Sequence, residues 1–470
     1  MEVNLDFIAR SIKGRILSGN RENFVNGVGT DSRNIKKGEL FFALKGQVFD
    51  GHDFVIEALD KGASAAVVSE MIDCSNCAGA DKAIILVDDT LRALQELAAA
   101  YRKMFDIPII AVTGSVGKTT TKDITALCLQ SRFKTLKTEE NMNNEIGVPL
   151  TILKLEENHG AAVIELAMRA RGEIKRLAEI VKPSCAVISS VEPVHLETLK
   201  TLENIVLSKC EILSELKAGH FAVINGDSEL LVNIAAQYPC TKYTFGYREG
   251  CDFQILDVSV NKWGININSR LIDRYEQFYF PVPSSKLTGN VISAAAVSFL
   301  LGVKLDEIRS SLMEYKPSSH RLNIKYLQGG GAVIDDTYNA NPVSMAAALE
   351  TSRELLGGGK LVAVLGDMFE LGEYEIPGHL EVGKKAAEVE ADVLITVGER
   401  AKYIAQGALE AGMPPSQIYY FQSKEDCVEF LSRMVKEDDV ILFKASRAME
   451  METLMEELIQ RGTLEVRSET

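Results

Sequence analysis

Ile109-Ile-Ala-Val-Thr-Gly-Ser-Val-Gly-Lys-Thr-Thr120 decides how this chain folds. It starts as a β-branched apolar run, turns through Gly114 and Gly117, and enters a helix at Lys118. A turn of that kind leaves several backbone N–H groups pointing into one hollow, with the positive end of the helix behind them. A polyphosphate fits there. Lys118 can reach the terminal phosphates, and Thr119 or Thr120 can offer a hydroxyl to Mg²⁺. Val112 stands where the outer Gly of the full motif would be, so this is the compressed GxxGKT form. A chance Gly-Lys-Thr in a turn is the plain alternative, which the strand before and the helix after disfavour. Gly114, Ser115, Val116, Gly117, Lys118, Thr119 and Thr120 are the nucleotide-binding candidates.

Outward from the loop, strands and helices alternate. After Pro108 the pattern predicts strand 109–113 and a helix from 118, then strand 161–165 and a helix near 173–181. Strand 185–190 with a helix near 203–216, and strand 221–224 with 228–236, continue it. Such alternation predicts a largely parallel sheet with helices on both faces. Strand-like segments between 253 and 283 predict an antiparallel extension, and helices near 290–301 and 305–314 close the unit. Upstream, strands at 38–44, 65–68 and 83–87 combine with a helix near 54–61 and a helix over 91–105 capped by Thr90. Downstream of Lys316-Pro-Ser-Ser319, strands at 332–335, 361–365, 393–397, 418–421 and 440–443 alternate with helices in a Rossmann-like, doubly wound pattern. The fold class is therefore α/β in three domains. A small N-terminal domain spans 1–107, a central phosphate-loop domain 108–316, and a Rossmann-like C-terminal domain 317–470.

Composition agrees with this division. A chain of 470 residues exceeds one ordinary core, and 46% hydrophobic with 25% charged residues suits a globular protein in water. The formal net charge of −15 argues against nucleic acid as a general partner. No charged-then-apolar leader is evident. The most apolar helix-like run, 294–303, is shorter than the roughly 20 residues that span a bilayer. The expectation is a cytoplasmic monomer without membrane insertion. Eight Cys are scattered, and Cys74 and Cys77 form a lone CxxC, so all are read as reduced thiols and no zinc site is expected.

Ligands of open parallel sheets bind beyond the carboxyl ends of the strands. Glu165 ends one such strand and can hold Mg²⁺ opposite the phosphate loop, or be a solvated strand-end acid. His195 follows the strand that starts at Cys185 by a short loop. It is a second metal ligand or a surface histidine. Lys209 is by itself an ordinary helix lysine. Arg321, past the second boundary, reaches phosphates or forms a linker salt bridge. Asn341-Pro342 reads as a capped helix start, which leaves Asp336 free to hydrogen-bond a ribose. The loops Gly366-Asp-Met-Phe-Glu-Leu-Gly372 and Lys444-Ala-Ser-Arg447 also sit at strand ends, and their convergence on one face favours a cleft.

With those residues in place, the chain resembles the Mur ligases, ATP-dependent enzymes that add amino acids to the muramyl peptide of bacterial cell walls. The phosphate loop, Glu165, His195 and Lys209 fall in that family's order and spacing. Thr30-Asp-Ser-Arg33, Leu40-Phe-Phe-Ala-Leu-Lys-Gly46 and Asp50-Gly-His-Asp-Phe54 look like its UDP-sugar-binding domain. Asn143-Asn-Glu-Ile-Gly-Val-Pro-Leu-Thr151, the 335–342 segment and the 366–372 loop resemble the members that act fourth in the pathway. These join D-alanyl-D-alanine to a UDP-linked muramoyl tripeptide. The resemblance implies ATP and two Mg²⁺, an acyl-phosphate intermediate, and a carbamylated Lys209. Thr119 and Glu165 would hold one ion, and His195 with Lys209 the other. Asn144 would lie near the transferring phosphate, Asn290 near adenine, Arg321 at the phosphates and Asp336 at the ribose. Ser32, Arg33 and Lys45 would face the UDP-sugar, and Lys444, Ser446 and Arg447 the dipeptide. Gly289, Ser293, His320 and Ala445 depart from the family's usual residues. The rival readings are a relative with another amine acceptor and a catalytically silent nucleotide-binding module.

Overall fold

Ile109–Thr113, Ala161–Glu165 and Cys185–Ile188 are buried along their whole length, as strands covered by helices on both faces must be. In the computed structural model, which describes residues 1–72, 82–193 and 196–467, they form the middle of a nine-stranded sheet. Pairing is parallel from Thr135–Lys137 at one edge through Ala161–Glu165, Ile109–Thr113, Cys185–Ile188, Phe221–Asn225 and Thr241–Gly246 to Phe253–Asn261. Gly264–Leu271 and Arg274–Phe280 then add an antiparallel meander, the extension expected between 253 and 283. Because Ile109–Thr113 lies between Ala161–Glu165 and Cys185–Ile188, the phosphate loop, Glu165 and Ser189 leave the sheet side by side.

The N-terminal sheet has five strands in the order Arg15–Ser18, Ala83–Leu86, Ala65–Val68, Leu40–Phe42, Val28–Gly29. Helix Thr90–Arg102 follows it, but the cap is not Thr90. Asp89 accepts from Arg92 N–H at 2.9 Å, while the Thr90 hydroxyl donates to Ala43 O at 2.8 Å. A carboxylate one residue upstream reaches the third helical amide equally well and releases the threonine for tertiary work. This helix also ties two domains together. Leu94, Leu97 and Tyr101 share one core with Val148, Ile152 and Leu177 of the central domain. Tyr101 Oη donates to Leu155 O at 2.8 Å, and the buried Arg102 Nε to Val181 O at 2.9 Å.

The C-terminal sheet runs Asn323–Tyr326, Ala332–Asp335, Val440–Lys444, Leu361–Gly366, Val393–Val397, Ile418–Phe421. Its pairs are parallel except for the antiparallel Asn323–Tyr326 edge. Alternate residues of each strand enter opposite cores: Ile334, Ala363 and Leu442 on one face, Val333, Val362 and Ile441 on the other. That is the doubly wound arrangement expected from the sequence. The helix expected over 203–216 is α-helical at Leu202–Cys210 and tightens to a 3₁₀ turn at Glu211–Glu215. There Glu211 accepts from the N–H of Gly172 at 2.9 Å and of Lys175 at 3.2 Å. Among the described residues, six cysteines are buried and free, and no helix is long and apolar enough to cross a membrane. Cys74 and Cys77 lie outside the described residues.

Domain contacts close a cleft above the strand ends. Ser318 Oγ donates to Asp123 Oδ2 at 2.7 Å, Ser284 and Thr351 share a buried hydroxyl pair at 2.7 Å, and Arg169 pairs with Glu370 at 2.9 Å. The cleft encloses about 830 Å³.

Candidate active site

Two glycines shape the phosphate loop by close approach. A Cβ on Gly114 would stand 2.0 Å from Ser189 Oγ. One on Gly117, at φ +79°, would stand 2.2 Å from Asn290 Nδ2. The first half of the loop is fastened to the neighbouring strand end. Ser115 N–H donates to Ser190 O and Val116 N–H to Ser190 Oγ, both at 2.9 Å. Both residues line the cleft, yet their amides are directed to Ser190. The hollow is therefore formed by the second half. The amides of Gly117, Lys118, Thr119 and Thr120 donate to nothing among the described residues, and they open helix Lys118–Gln130. The half-buried Lys118 ammonium donates to Gly114 O at 2.8 Å and Ser115 O at 3.2 Å. Burial pushes its pKa down, Glu165 opposes the shift and Arg321 adds to it. Asn290, on helix Thr288–Leu300, braces the loop from the far side, its Nδ2 donating to Gly117 O at 3.1 Å and Thr121 Oγ1 at 2.9 Å. Beside it a second cavity of about 290 Å³ opens against Asp227, Phe245 and Tyr247.

Glu165 is 1% exposed. Asn143 Nδ2 donates to its Oε1 at 2.8 Å, and its Oε2 is buried with no partner. A buried carboxylate oxygen left without a donor costs free energy unless a ligand completes it. Lys209 is 2% exposed and makes no hydrogen bond or ion pair among the described residues. Burial pushes its pKa well below the usual lysine value, and neighbouring Lys118 adds to the shift. Thr119 is buried in the cleft wall. His195 lies outside the described residues. Among those described, no three His, Cys, Asp or Glu side chains form a metal cluster. The unpartnered Glu165 oxygen and the Thr119 hydroxyl nevertheless fit a hard divalent cation whose remaining ligands come from phosphate and water. Asn144, which lines the cleft, accepts at Oδ1 from Ile146 and Gly147 N–H at 3.1 and 2.9 Å, and its amide NH₂ has no partner among the described residues.

The opposite wall belongs to the C-terminal domain. Asn341 caps helix Pro342–Leu355 with a full capping box, as the sequence implies. Arg321 forms no linker salt bridge among the described residues; its guanidinium lies 3.9 Å from the centroid of the Tyr338 ring. Asp336 is more committed than the sequence suggests. Its Oδ1 accepts from Leu322 N–H at 3.0 Å and its Oδ2 from the Lys444 ammonium, which also donates to Asn339 O at 3.0 Å. Lys444 is thus a buried structural cation. Ser446 Oγ accepts from Phe369 N–H at 2.9 Å, and Arg447 pairs with Glu452. All of these residues except Glu452 line the same cleft as Lys118 and Glu165.

Ser32, Arg33 and Lys45 lie elsewhere, on the N-terminal domain. Ser32 Oγ donates to Glu57 at 3.3 Å. Arg33 forks onto Asp31 with two bonds of 2.9 Å, holding that carboxyl down to about 2. Lys45 faces Asp50 at 3.2 Å. Three residues that matter in the geometry were not singled out from the sequence: Asn143, Ser190 and Tyr338. Each adjoins or lies within a polar strand-end segment that drew attention, which is the signal that marks them.

The chain matches three family models: "Mur ligase family, catalytic domain" over residues 24–102, "Mur ligase middle domain" over 112–298, and "Mur ligase, glutamate ligase domain" over 320–447. The UDP-N-acetylmuramoyl-tripeptide--D-alanyl-D-alanine ligase of Bacillus subtilis (strain 168) is 36% identical over 454 residues, 96% of this chain and 97% of the relative. The solved UDP-N-acetylmuramoylalanyl-D-glutamyl-2,6-diaminopimelate--D-alanyl-D-alanyl ligase from Acinetobacter baumannii is 30% identical, with a TM-score of 0.85 over 98% of this chain and 99% of that one. The MurF ligase from Thermotoga maritima, solved in complex with ADP, is 30% identical with a TM-score of 0.82 over 93% and 99%.

Proposed function

Because the chain belongs to the Mur ligase family, we propose that it is an ATP-dependent, ADP-forming ligase that adds D-alanyl-D-alanine to UDP-N-acetylmuramoyl-tripeptide in peptidoglycan precursor synthesis. One observation carries the reading on physical grounds. Four free amides and an unpartnered carboxylate oxygen meet in one cleft at adjacent strand ends, and an unpartnered lysine, Lys209, is buried close enough to Lys118 to feel its charge. Groups left so incomplete favour an anionic, metal-bearing ligand.

The tripeptide's terminal carboxylate attacks the γ-phosphorus of ATP, the bond to the β-phosphate oxygen breaks, and ADP leaves. The neutral amine of D-alanyl-D-alanine then adds to the acyl phosphate, and the tetrahedral adduct expels phosphate as the amine's proton is lost. Phosphoryl transfer of this kind depends on positioning and charge neutralisation. In this reading the amides of Gly117 to Thr120 cradle the phosphates, with Ser115 and Val116 as the braced edge of the hollow and Gly114 as its close turn. Lys118 leaves its loop carbonyls for the terminal phosphates, joined by Arg321 from the C-terminal domain. Thr119 and Glu165 are proposed to hold one Mg²⁺ and His195 with Lys209 a second, supplying positive charge at the phosphate oxygens. The buried Lys209 amine, its pKa held down by desolvation, suits addition to CO₂, in which the N–C bond forms, a proton is lost and an anionic carbamate results. Asn144 would offer its NH₂ to the transferring phosphate. Asn290 would hold the loop beside the adenine, and Asp336 would reach a ribose through lone pairs that Lys444 and Leu322 leave free.

The division into 1–107, 108–316 and 317–470 assigns the UDP-sugar to Ser32, Arg33 and Lys45, and the dipeptide to Ser446 and Arg447 with Lys444 beneath them. A monomer working in the cytoplasm is part of the same proposal. The test is phosphate release from ATP with UDP-muramoyl-tripeptide, with and without D-alanyl-D-alanine. Release that requires both supports the ligase; ATP binding with no release under any combination overturns it.

A further inference from the structure

Most cations that line the cleft already have partners. Arg169, Lys286, Lys444 and Arg447 are paired with Glu370, Glu350, Asp336 and Glu452, and Arg321 stacks on Tyr338. Arg176 differs. It lines the cleft from helix Glu173–Val181, and among the described residues its guanidinium makes no hydrogen bond, ion pair or ring contact. Glu173, one turn back on the same helix, does not neutralise it. Its Oε2 accepts from the N–H groups of Arg169 and Ala170 at 2.7 and 3.2 Å. In a chain of net charge −15, an unpaired guanidinium facing a cleft is poised for an anion.

Its place in the fold says which anion. Helix Glu173–Val181 packs on Thr90–Arg102 and Gly147–Ile152. Thr90 bonds to Ala43 of the N-terminal sheet, and Gln95 donates to Glu145 O in the cleft wall at 3.1 Å. Arg176 therefore stands on the wall between the N-terminal domain and the phosphate loop. An acyl substrate with its nucleotide end on the N-terminal domain and its reacting carboxyl near Lys118 runs along that wall.

We infer that Arg176 binds a non-reacting carboxylate of the acyl peptide and makes the enzyme selective for an acidic peptide; this rests on the function proposed above. A peptide of the alanyl-D-glutamyl-2,6-diaminopimelate kind, named for the Acinetobacter relative, carries such a group however it is joined. Glutamate has two side-or-main-chain carboxyls and the linkage consumes one. Diaminopimelate adds a second. The planar guanidinium fork matches a carboxylate with two parallel bonds, which a lysine cannot reproduce.

Steady-state kinetics of the full-length enzyme tests this with three UDP-muramoyl-tripeptides. One ends in lysine, one ends in lysine with the free glutamyl carboxylate converted to an amide, and one ends in diaminopimelate. Arg176→Gln should raise KM for the acidic peptides about tenfold and Arg176→Lys by less, with kcat and the KM for ATP within about twofold. Wild type should lose the same factor on the amide, to which Arg176→Gln is indifferent. A penalty on both acidic peptides assigns the glutamyl carboxylate, and one confined to the diaminopimelate peptide assigns its second carboxylate. Either outcome supports the inference. Equal KM values for wild type and Arg176→Gln on every peptide, or a rise in KM that is as large on the amide as on the acidic peptides, overturn it while leaving the ligase intact. Wild-type silence with all three peptides would instead overturn the ligase reading, and this inference with it.

Discussion

The central and C-terminal sheets present the same kind of surface, polar loops at the carboxyl ends of parallel strands, and complete it in opposite ways. At the central strand ends, Glu165 Oε2 and the amides of Gly117 to Thr120 have no partner among the described residues, and nor has the Lys209 amine on helix Leu202–Cys210. Across the cleft, partners are supplied from within. Lys444 is matched by Asp336 and Asn339, Asp336 by Leu322 N–H, Ser446 by Phe369 N–H, and Asp335 by His320 and Thr337. A buried polar group left incomplete is costly and persists where a ligand completes it; one satisfied internally is scaffold. The two walls should therefore differ in stability: substitutions on the first remove activity at little cost in stability, whereas breaking the internal pairs of the second lowers stability as well.

Lys118→Ala is the strongest attempt to break that contrast. Losing a preorganised charge at a developing anion costs about 10²–10³ in rate, and Lys118 also neutralises the bound nucleotide, so phosphate release should fall by about 10³. Its thermal melt should change little, since its present bonds are to two carbonyls of its own loop, those of Gly114 and Ser115. A variant with near-normal turnover would remove the phosphate role. Lys444→Met is the mirror test. It breaks a buried ion pair and should lower unfolding free energy by about 3 kcal/mol, because the Asp336 carboxylate is left without its cation. Glu165→Gln supplies the control: it retains an Oε1 acceptor for Asn143 and breaks no hydrogen bond at the unpartnered Oε2, so its urea midpoint should stay nearly level while activity falls. Equal destabilisation of the two variants would erase the difference between the walls.

Which features were legible from sequence follows from the range of the interactions involved. The phosphate loop, the Asn341 cap and the alternation of strands and helices are local, so residues within a few positions of one another determine them. The family resemblance places Lys444 on the dipeptide side; its pairing with Asp336, 108 residues away, is not legible in the sequence. The Asp89 cap was masked by an equally competent neighbour, Thr90. Val28–Gly29 is too short for any periodicity to register. The core shared across residue 107 is invisible to a boundary drawn from composition, because Leu94, Leu97 and Tyr101 form one apolar stripe whichever sheet they face. At the site, adjacent Asn143 and Asn144 look alike in sequence. The turn that aims Asn143 at Glu165 and leaves Asn144 accepting from Ile146 and Gly147 N–H exists only in three dimensions.

Lys209 sharpens the contrast further, since the central domain has an unpartnered buried amine as well as an unpartnered carboxylate oxygen. Lys209→Ala should cut turnover by about 10² if the residue acts as an anionic carbamate at the phosphates. Added acetate or formate should restore part of the loss, by placing a carboxylate where the carbamate stood. Full activity without additive would show that the buried amine is packing alone.

The smallest effect concerns a satisfied group in the C-terminal wall, His379. It is fully buried; its Nε2 accepts from Met368 N–H at 3.1 Å and its Nδ1 donates to Glu375 O at 2.6 Å. Burial lowers its pKa, partly offset by the Glu375 carbonyl and by the Asp367 and Glu375 charges, with Arg400 lowering it further. A histidine whose folded pKa lies below the unfolded value of about 6.5 stays neutral in the fold while the unfolded chain takes up a proton. Stability from this residue is therefore complete above about pH 6.5 and declines as pH falls below it, until the folded pKa is reached. Protonation also places a hydrogen on Nε2, which ejects Met368 N–H from its acceptor. Met368 belongs to the 366–372 loop, whose Phe369, Glu370 and Leu371 face the cleft. Hydrogen exchange of that segment, corrected for intrinsic rate, should run a few-fold faster at pH 5.5 than at 7.5. His379→Gln, which keeps an acceptor but does not titrate, should flatten the difference. Equal protection at both pH values in the wild type would mean that the loop is held by something other than this histidine, and the internally satisfied wall would then owe its order to the Lys444 network alone.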